Sequence, residues 1–380
     1  MSLGPVQPTS AGGGAQPVAP TGTNPAAPVP SAAGQPAIAG QTTAPAASAG
    51  GAAVASVMAS LLAEALPTQD GIAPLLADLA TALATPASAA GETLPAAARL
   101  AAQRILAGQA PLGQNVGAGD VRTALQASGI LLEATLAASG RPGAPPPDLT
   151  RDLKAQLLQL SAALDPTVEA EAASLAAPRP LPRRDPAHRP PPPARGAPTA
   201  GQAAAHPSAE VEHGGAEARA RLRQEADAAL ARLQLSQLAS AGAGAPSEEA
   251  EETVWRFDAP LETPSGTALA QIEIRREGHR AGGGGEAAPV VWRTRLSADL
   301  EPSGPVHAEI SLSAGRTRVT LWAERDGAFG DLSAAQAELV QALAGPDHAD
   351  AAVRVLFGAP PPPAPAVRGG PVGHYLDRRS

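Results

Sequence analysis

The spacing of apolar residues changes once along this chain, from a helical period to an alternating one. Val54, Val57, Met58, Leu61, Leu62 and Leu66 recur at helical spacing, and after a break at Pro67 and Gly71 the repeat resumes in Leu75, Leu76, Leu79 and Leu83. The pattern predicts helices there and a third, short one over 96–106. Two better stripes follow. One covers 121–138, with Leu125, Ile130, Leu131, Leu132 and Leu136 and with Asp120 as N-cap; the other covers 149–164, with Leu153, Leu157, Leu158, Leu160 and Leu164, capped by Asp148 or Thr150. Ser139-Gly140-Arg141-Pro142 and Pro145-Pro146-Pro147 break the chain between them, so they read either as an antiparallel pair or as isolated, marginal helices whose Ala–Leu faces bury little area. Residues 216–238 give one more helix with a single stripe, Leu222, Leu230, Leu233 and Leu238, suited to a partner surface or to a solitary surface helix.

From 253 onward the period is 2. Residues 267–276 place Leu269, Ile272 and Ile274 among polar neighbours, and after the flexible run Gly282 to Gly285 a second strand is predicted over 290–299. Residues 306–313, with Val306, Ala308, Ile310 and Leu312 on one face, and residues 316–323, with Thr317, Val319 and Leu321 alternating, flank Ala314-Gly315, which is a hairpin signal. Asp331 or Ser333 caps a helix running to Leu343, and Val353, Val355 and Phe357 form a last short strand before Pro360 to Pro363.

Composition sharpens this division. All seven aromatic residues, Trp255, Phe257, Trp292, Trp322, Phe329, Phe357 and Tyr375, fall after position 254, where the largest apolar side chains can dominate a core. The 42 Pro and 39 Gly lie mostly in tracts with Ala, Ser and Thr that cannot offset the entropy of ordering a chain. The predicted class is therefore α+β: a largely disordered Ala/Pro/Gly-rich N-terminal part with short helices, then a small C-terminal domain of antiparallel strands covered by one helix. Five segments are expected: disorder over 1–52, a loosely packed helical region over 53–165, a Pro-rich linker with one helix over 166–252, the α+β domain over 253–358 and a flexible tail over 359–380.

Charge and chemistry exclude more than they assign. The net charge of -8 is thinly spread, and Arg183-Arg184 is too short a cluster to track a phosphate backbone, so nucleic acid is not expected as a partner. No cysteine is present, which removes disulfides, thiolate metal sites and thiol nucleophiles, and Lys154 is the only lysine, which rules out a P-loop. The opening Met-Ser-Leu-Gly-Pro-Val-Gln-Pro-Thr-Ser has neither the cationic nor the apolar part of a signal peptide, and no apolar run reaches the roughly 18 residues that membrane insertion needs. The histidines at 188, 206, 213, 279, 307, 348 and 374 show no metal-ligand spacing, and Gly282 to Gly285 lacks the strand and helix of a dinucleotide loop. Glu248, Glu249, Glu251 and Glu252 read as a solvated boundary. No catalytic residue, cofactor or metal is predicted. Trp255, Trp292 and Trp322 are each expected on a strand and in the core, the alternative being a stacking platform for bases or Pro-rich ligands.

The run Leu296-Ser-Ala-Asp-Leu-Glu-Pro-Ser-Gly-Pro-Val306-His-Ala-Glu-Ile310, followed by Val319-Thr-Leu-Trp-Ala-Glu324, resembles the C-terminal domain of flagellar hook-length control proteins. That family's order of strand, Pro-x-x-Gly-type turn, strand, hairpin, Leu-rich helix and short strand is met through Phe357. Leu261 to Ile274, Tyr375-Leu-Asp-Arg-Arg, Ser128 to Glu133 and Asp152 to Leu157 resemble its alphaproteobacterial branch, whereas Pro346-Asp-His-Ala-Asp350 departs from the glycine-ended turn of relatives. The resemblance implies a monomer made in the cytoplasm and exported through the flagellar type III apparatus to the growing hook and exterior. Its flexible N-terminal part would sense length, and its C-terminal domain would touch the cytoplasmic domain of the export gate's switch component and turn export from hook to filament subunits. Hook and hook-cap proteins would be further partners, with no membrane insertion. Pro302, Gly304, Pro305, Val306, Ile310, Val319 and Leu321 are the residues expected at the partner contact, because a sheet covered by one helix leaves a face available. The alternatives are a needle-length regulator of an injectisome and a non-catalytic Pro-rich spacer or scaffold of the cell envelope.

Overall fold

A computed structural model describes residues 47–85, 94–111, 118–165, 189–241, 250–279, 289–343 and 350–362. Expectations for the N-terminal segment up to 46, for Gly282 to Gly285, for the turn at 346–348 and for the tail beyond 362 lie outside them. The described residues belong to one compact unit, Ala46–Ser380.

Among the described residues seven strands form one sheet in chain order: β1 (Ala110–Pro111), β2 (Ala250–Thr263), β3 (Gly266–His279), β4 (Val291–Leu300), β5 (Gly304–Ser313), β6 (Arg316–Ala323) and β7 (Asp350–Phe357). The α+β class holds. β2 to β6 are an antiparallel meander, and the Ala314-Gly315 hairpin is present with Ser313 opposite Arg316. Two pairings depart from the antiparallel expectation: β7 runs parallel to β6, and the two-residue β1 runs parallel to β2. The parallel return of β7 follows from helix α9 (Asp326–Leu343), which carries the chain back along the sheet. α9 begins at Asp326 rather than at the expected Asp331 or Ser333, because Phe329 donates its amide to Arg325 O and Ala328 is already buried.

The period-2 register sorts the sheet into two unlike faces. Trp255, Phe257 and Ala259 of β2 lie opposite Ile274, Ile272 and Ala270 of β3, and the same apolar face continues through Leu296, Ala308, Leu321 and Val355. The other face carries Arg256, Asp258, Gln271, Glu273, Ser297 and His307.

Among the described residues eight helices precede the meander: α1 (Ala47–Thr68), α2 (Ala73–Ala84), α3 (Ala96–Ala107), α4 (Ala118–Ala127), α5 (Leu132–Ser139), α6 (Leu153–Ala163), α7 (Ala209–His213) and α8 (Gly215–Ser240). The stripe expected over 121–138 is broken in two at Ser128-Gly129: Ser128 Oγ donates to Leu125 O at 2.7 Å, and Gly129 has φ 83° with no room for a Cβ against Lys154. The cap of α6 is Asp152, whose carboxylate accepts the Ala155 amide at 2.9 Å, not Asp148 or Thr150.

These helices are not isolated. Leu75, Leu79, Ala98, Ala102, Leu157, Leu160, Leu222, Ala226 and Ala229 share one buried cluster, which also takes in Leu269 from the polar face of β3. α8 is buried on more than its Leu stripe, with Ala231 and Leu235 meeting Ala65 of α1. It is neither solitary nor a free partner surface, since small Ala residues on its other sides admit close neighbours that a Leu stripe does not advertise.

The Pro-rich stretch expected as linker contains an ordered strap at 189–207 that crosses the polar sheet face. A proline-rich chain cannot pair its own backbone, so its carbonyls need outside donors. Arg232 of α8 supplies one to Pro191 O at 3.0 Å, and Arg256 of β2 serves Ala194 O, Ala197 O at 2.9 Å and Pro198 O at 2.6 Å. Gln202 and Leu269 exchange backbone hydrogen bonds at 2.9 and 2.8 Å, and Gly201 passes so close to Ala298 that a Cβ would lie 2.5 Å from its Cα.

Candidate functional site

The helical layer and the strap cover one sheet face over β2 to β4. Among the described residues the apolar face is covered only at its two sides. On one side Ala124 and Leu125 of α4, with Ile130, pack on Phe257, Ala259, Ala270, Ile272 and Ala298. On the other, α9 lies over β6 and β7, where Phe329 meets Phe357 edge-on with centroids 5.8 Å apart and Gln336 Nε2 donates to Val353 O at 2.9 Å. Between them runs a strip of part-exposed apolar side chains on β4, β5 and β6, with Ile310 at 40 % exposure. At one end of the same face Trp255 and Trp292 stack with centroids 6.2 Å apart and planes 9° from parallel. Trp292 is 39 % exposed, which corrects the expectation that all three tryptophans are core residues; Trp322, on the opposite face, is buried.

The residues expected at a partner contact fall in three places. Val306, Ile310, Val319 and Leu321 share the apolar face, with Ile310 directly opposite Val319 and Leu321 opposite Ala308. Ile310 and, in part, Val306 and Leu321 are accessible, whereas Val319 is 6 % exposed and belongs to the core. Pro302 and Gly304 form the β4–β5 turn, which Arg325 closes by donating to Pro302 O at 2.8 Å. Pro305 points to the other face, and its carbonyl accepts the Glu324 amide. Next to this turn burial raises the Asp299 carboxyl above the ordinary aspartate range, against the nearby Arg325.

Under the strap lies a polar cluster that sequence spacing did not reveal. Ser297 Oγ donates to Thr199 O at 3.0 Å and sits 2.7 Å from His307 Nδ1, while His307 Nε2 is 3.0 Å from Glu324 Oε1. A Ser–His–Glu chain has the outline of a hydrolase relay, but Ser297 is fully buried and its hydroxyl is held by Thr199, so it fastens the strap. Alternation on β4 and β5 puts Ser297 opposite His307 and was the one signal available. The nearby acidic residue Glu252, expected as solvated, pairs with Arg195 and Arg275, each at 2.8 Å. Arg256, wholly enclosed, has its guanidinium pKa lowered by burial despite Glu273 and Asp258. Among the described residues no cluster of His, Asp and Glu could hold a metal ion, and no helix is long and apolar enough to cross a membrane.

Residues 281–362 match the family described as flagellar hook-length control protein FliK. The C-terminal segment is a flagellar hook-length control domain. The match takes in β4 to β7 and α9, and so the whole open strip, while the β2–β3 hairpin lies outside it. Comparison with curated proteins and with solved structures returns no match.

Proposed function

We propose that this chain is a non-enzymatic regulator of flagellar hook length: it is exported through the flagellar type III apparatus, its N-terminal part reports hook length, and its C-terminal domain turns export from hook to filament subunits. The observation that carries the reading is the coincidence of the family match with the sheet face that the described residues leave open, since a regulator that acts by contact needs an exposed apolar surface on a folded domain. The contact would be made with the cytoplasmic domain of the export gate's switch component, through Ile310 and the part-exposed side chains beside it. A chain without cross-links also suits passage through a narrow channel, because nothing covalent has to be undone when it unfolds.

The N-terminal part offers reach. About 45 residues add on the order of 150 Å when extended, at roughly 3.3 Å per residue. Deletion of residues 11–45 leaves every described contact in place, so it is expected to shift the mean hook length while filaments still form. Hooks of unaltered length in that strain would remove the ruler part of the proposal, and hooks without filaments would show that the deletion had damaged the switch.

A further inference from the structure

The open strip restricts what can bind it. β4 is paired with β3 and β5, and β5 with β4 and β6, so the middle of the sheet has no free backbone edge for an added strand. The side chains add little: Leu296, Val306, Ala308, Ile310 and Leu321 are apolar, and Thr294 is the only polar one among them. A segment laid here must satisfy its own backbone hydrogen bonds, which a helix does and an extended peptide does not. The width agrees. Three strands at about 4.8 Å span roughly 14 Å, and a helix with its side chains is about 10 Å across. Helices already pack on both sides of the strip, so one more would complete the layer.

Charge fixes the chemistry of that helix. α9 carries Asp326, Asp331 and Glu338 and neither Lys nor Arg. Phe329 and Gln336 turn one side of α9 toward β7. At helical spacing the opposite side, toward the strip, presents Asp331, Ala335, Glu338 and Ala342, with both acidic groups exposed. Asp331 and Glu338 stand two turns apart, about 10 Å, with small residues between them that allow close approach. We propose that the strip binds a basic amphipathic α-helix of a partner protein, its apolar stripe seated on Leu296, Ile310 and Leu321 and its Lys or Arg residues paired with Asp331 and Glu338. This rests on the reading of the open face as the switch contact and adds the kind of element that fills it.

The test places the photo-cross-linking residue benzoylphenylalanine at position 310 of the full chain, in the flagellated bacterium that carries it, and maps the attachment points on the partner after irradiation. Attachment at residues three, four and seven apart, flanked by Lys or Arg, is expected. The double change D331K with E338K, both on the exposed side of α9, should remove most of the adduct without moving the thermal melt. Attachment points at every second residue, or an undiminished adduct in the charge-reversed chain, would overturn the basic helix and leave the hook-length reading standing. No adduct at 310 overturns it as well, and normal hooks in an Ile310→Glu strain would then remove both.

Discussion

Arg232 on α8 donates to both carboxylate oxygens of Asp258 on β2, at 2.6 and 3.3 Å, with neither side chain open to solvent. This pair joins the helical layer to the sheet. Removing one partner leaves the other charge buried alone, which costs about 3–5 kcal/mol, whereas a matched apolar replacement is far better tolerated. Asp258→Ala should therefore lower the urea midpoint markedly, and Arg232→Met combined with Asp258→Leu should recover much of the loss. Equilibrium unfolding followed by far-UV circular dichroism checks both.

The strap depends on Gly201 in the same physical way that a lid depends on clearance. A Cβ there would meet the backbone of Ala298 and Asp299 at 2.5 Å, and backbone atoms cannot rotate aside. Gly201→Ala is expected to cost about 1–3 kcal/mol. It should also raise amide exchange at Ala268 and Ala270 less than at Leu269 between them, whose amide donates to Gln202 O.

Much of the sheet could be read in the sequence, because alternation along 306–313 and 316–323 and the Ala-Gly turn between them are local signals. The family resemblance rested on the same strands. The strap and the buried ion pairs could not be read: Pro191, Ala194 and Pro198 look like linker until Arg232 and Arg256, tens of residues away, are seen to satisfy their carbonyls. Ile310 and Val319 show a second limit. They face each other across one strand pair, yet only Ile310 is accessible, because α9 shields the sheet edge nearest Val319.

Ala314 occupies the hairpin turn with φ 48°, a left-handed conformation that an L side chain adopts at a cost. Asn is better suited to that position and Gly315 already suits the next. Ala314→Asn should stabilise the domain by about 0.5–1 kcal/mol, read as a rise in melting temperature of roughly 1–4 °C.

Burial holds the Asp152 carboxyl above the ordinary aspartate range, outweighing the Ala155 amide that it accepts. The folded chain thus binds this proton more tightly than the unfolded one, so the stabilising contribution is complete below the ordinary aspartate range and declines as pH rises through the raised value. Asp152→Asn keeps the cap and should remove that decline, while Asp152→Ala should remove the decline and the cap together, so that it lies about 1 kcal/mol below Asp152→Asn at every pH. Urea midpoints measured from about pH 3 to about pH 7, the range over which carboxylates titrate, separate the two.

Ile310 offers the sharpest discrimination between a surface that works and a surface that merely exists, since at 40 % exposure its replacement by Glu should leave folding nearly intact. The decisive measurement is the length distribution of hooks, and the presence of filaments, in a strain whose only copy of this chain carries Ile310→Glu and whose purified protein melts as the parent does. Overlong hooks without filaments are predicted. Hooks of parental length bearing normal filaments would contradict the role assigned to the open face.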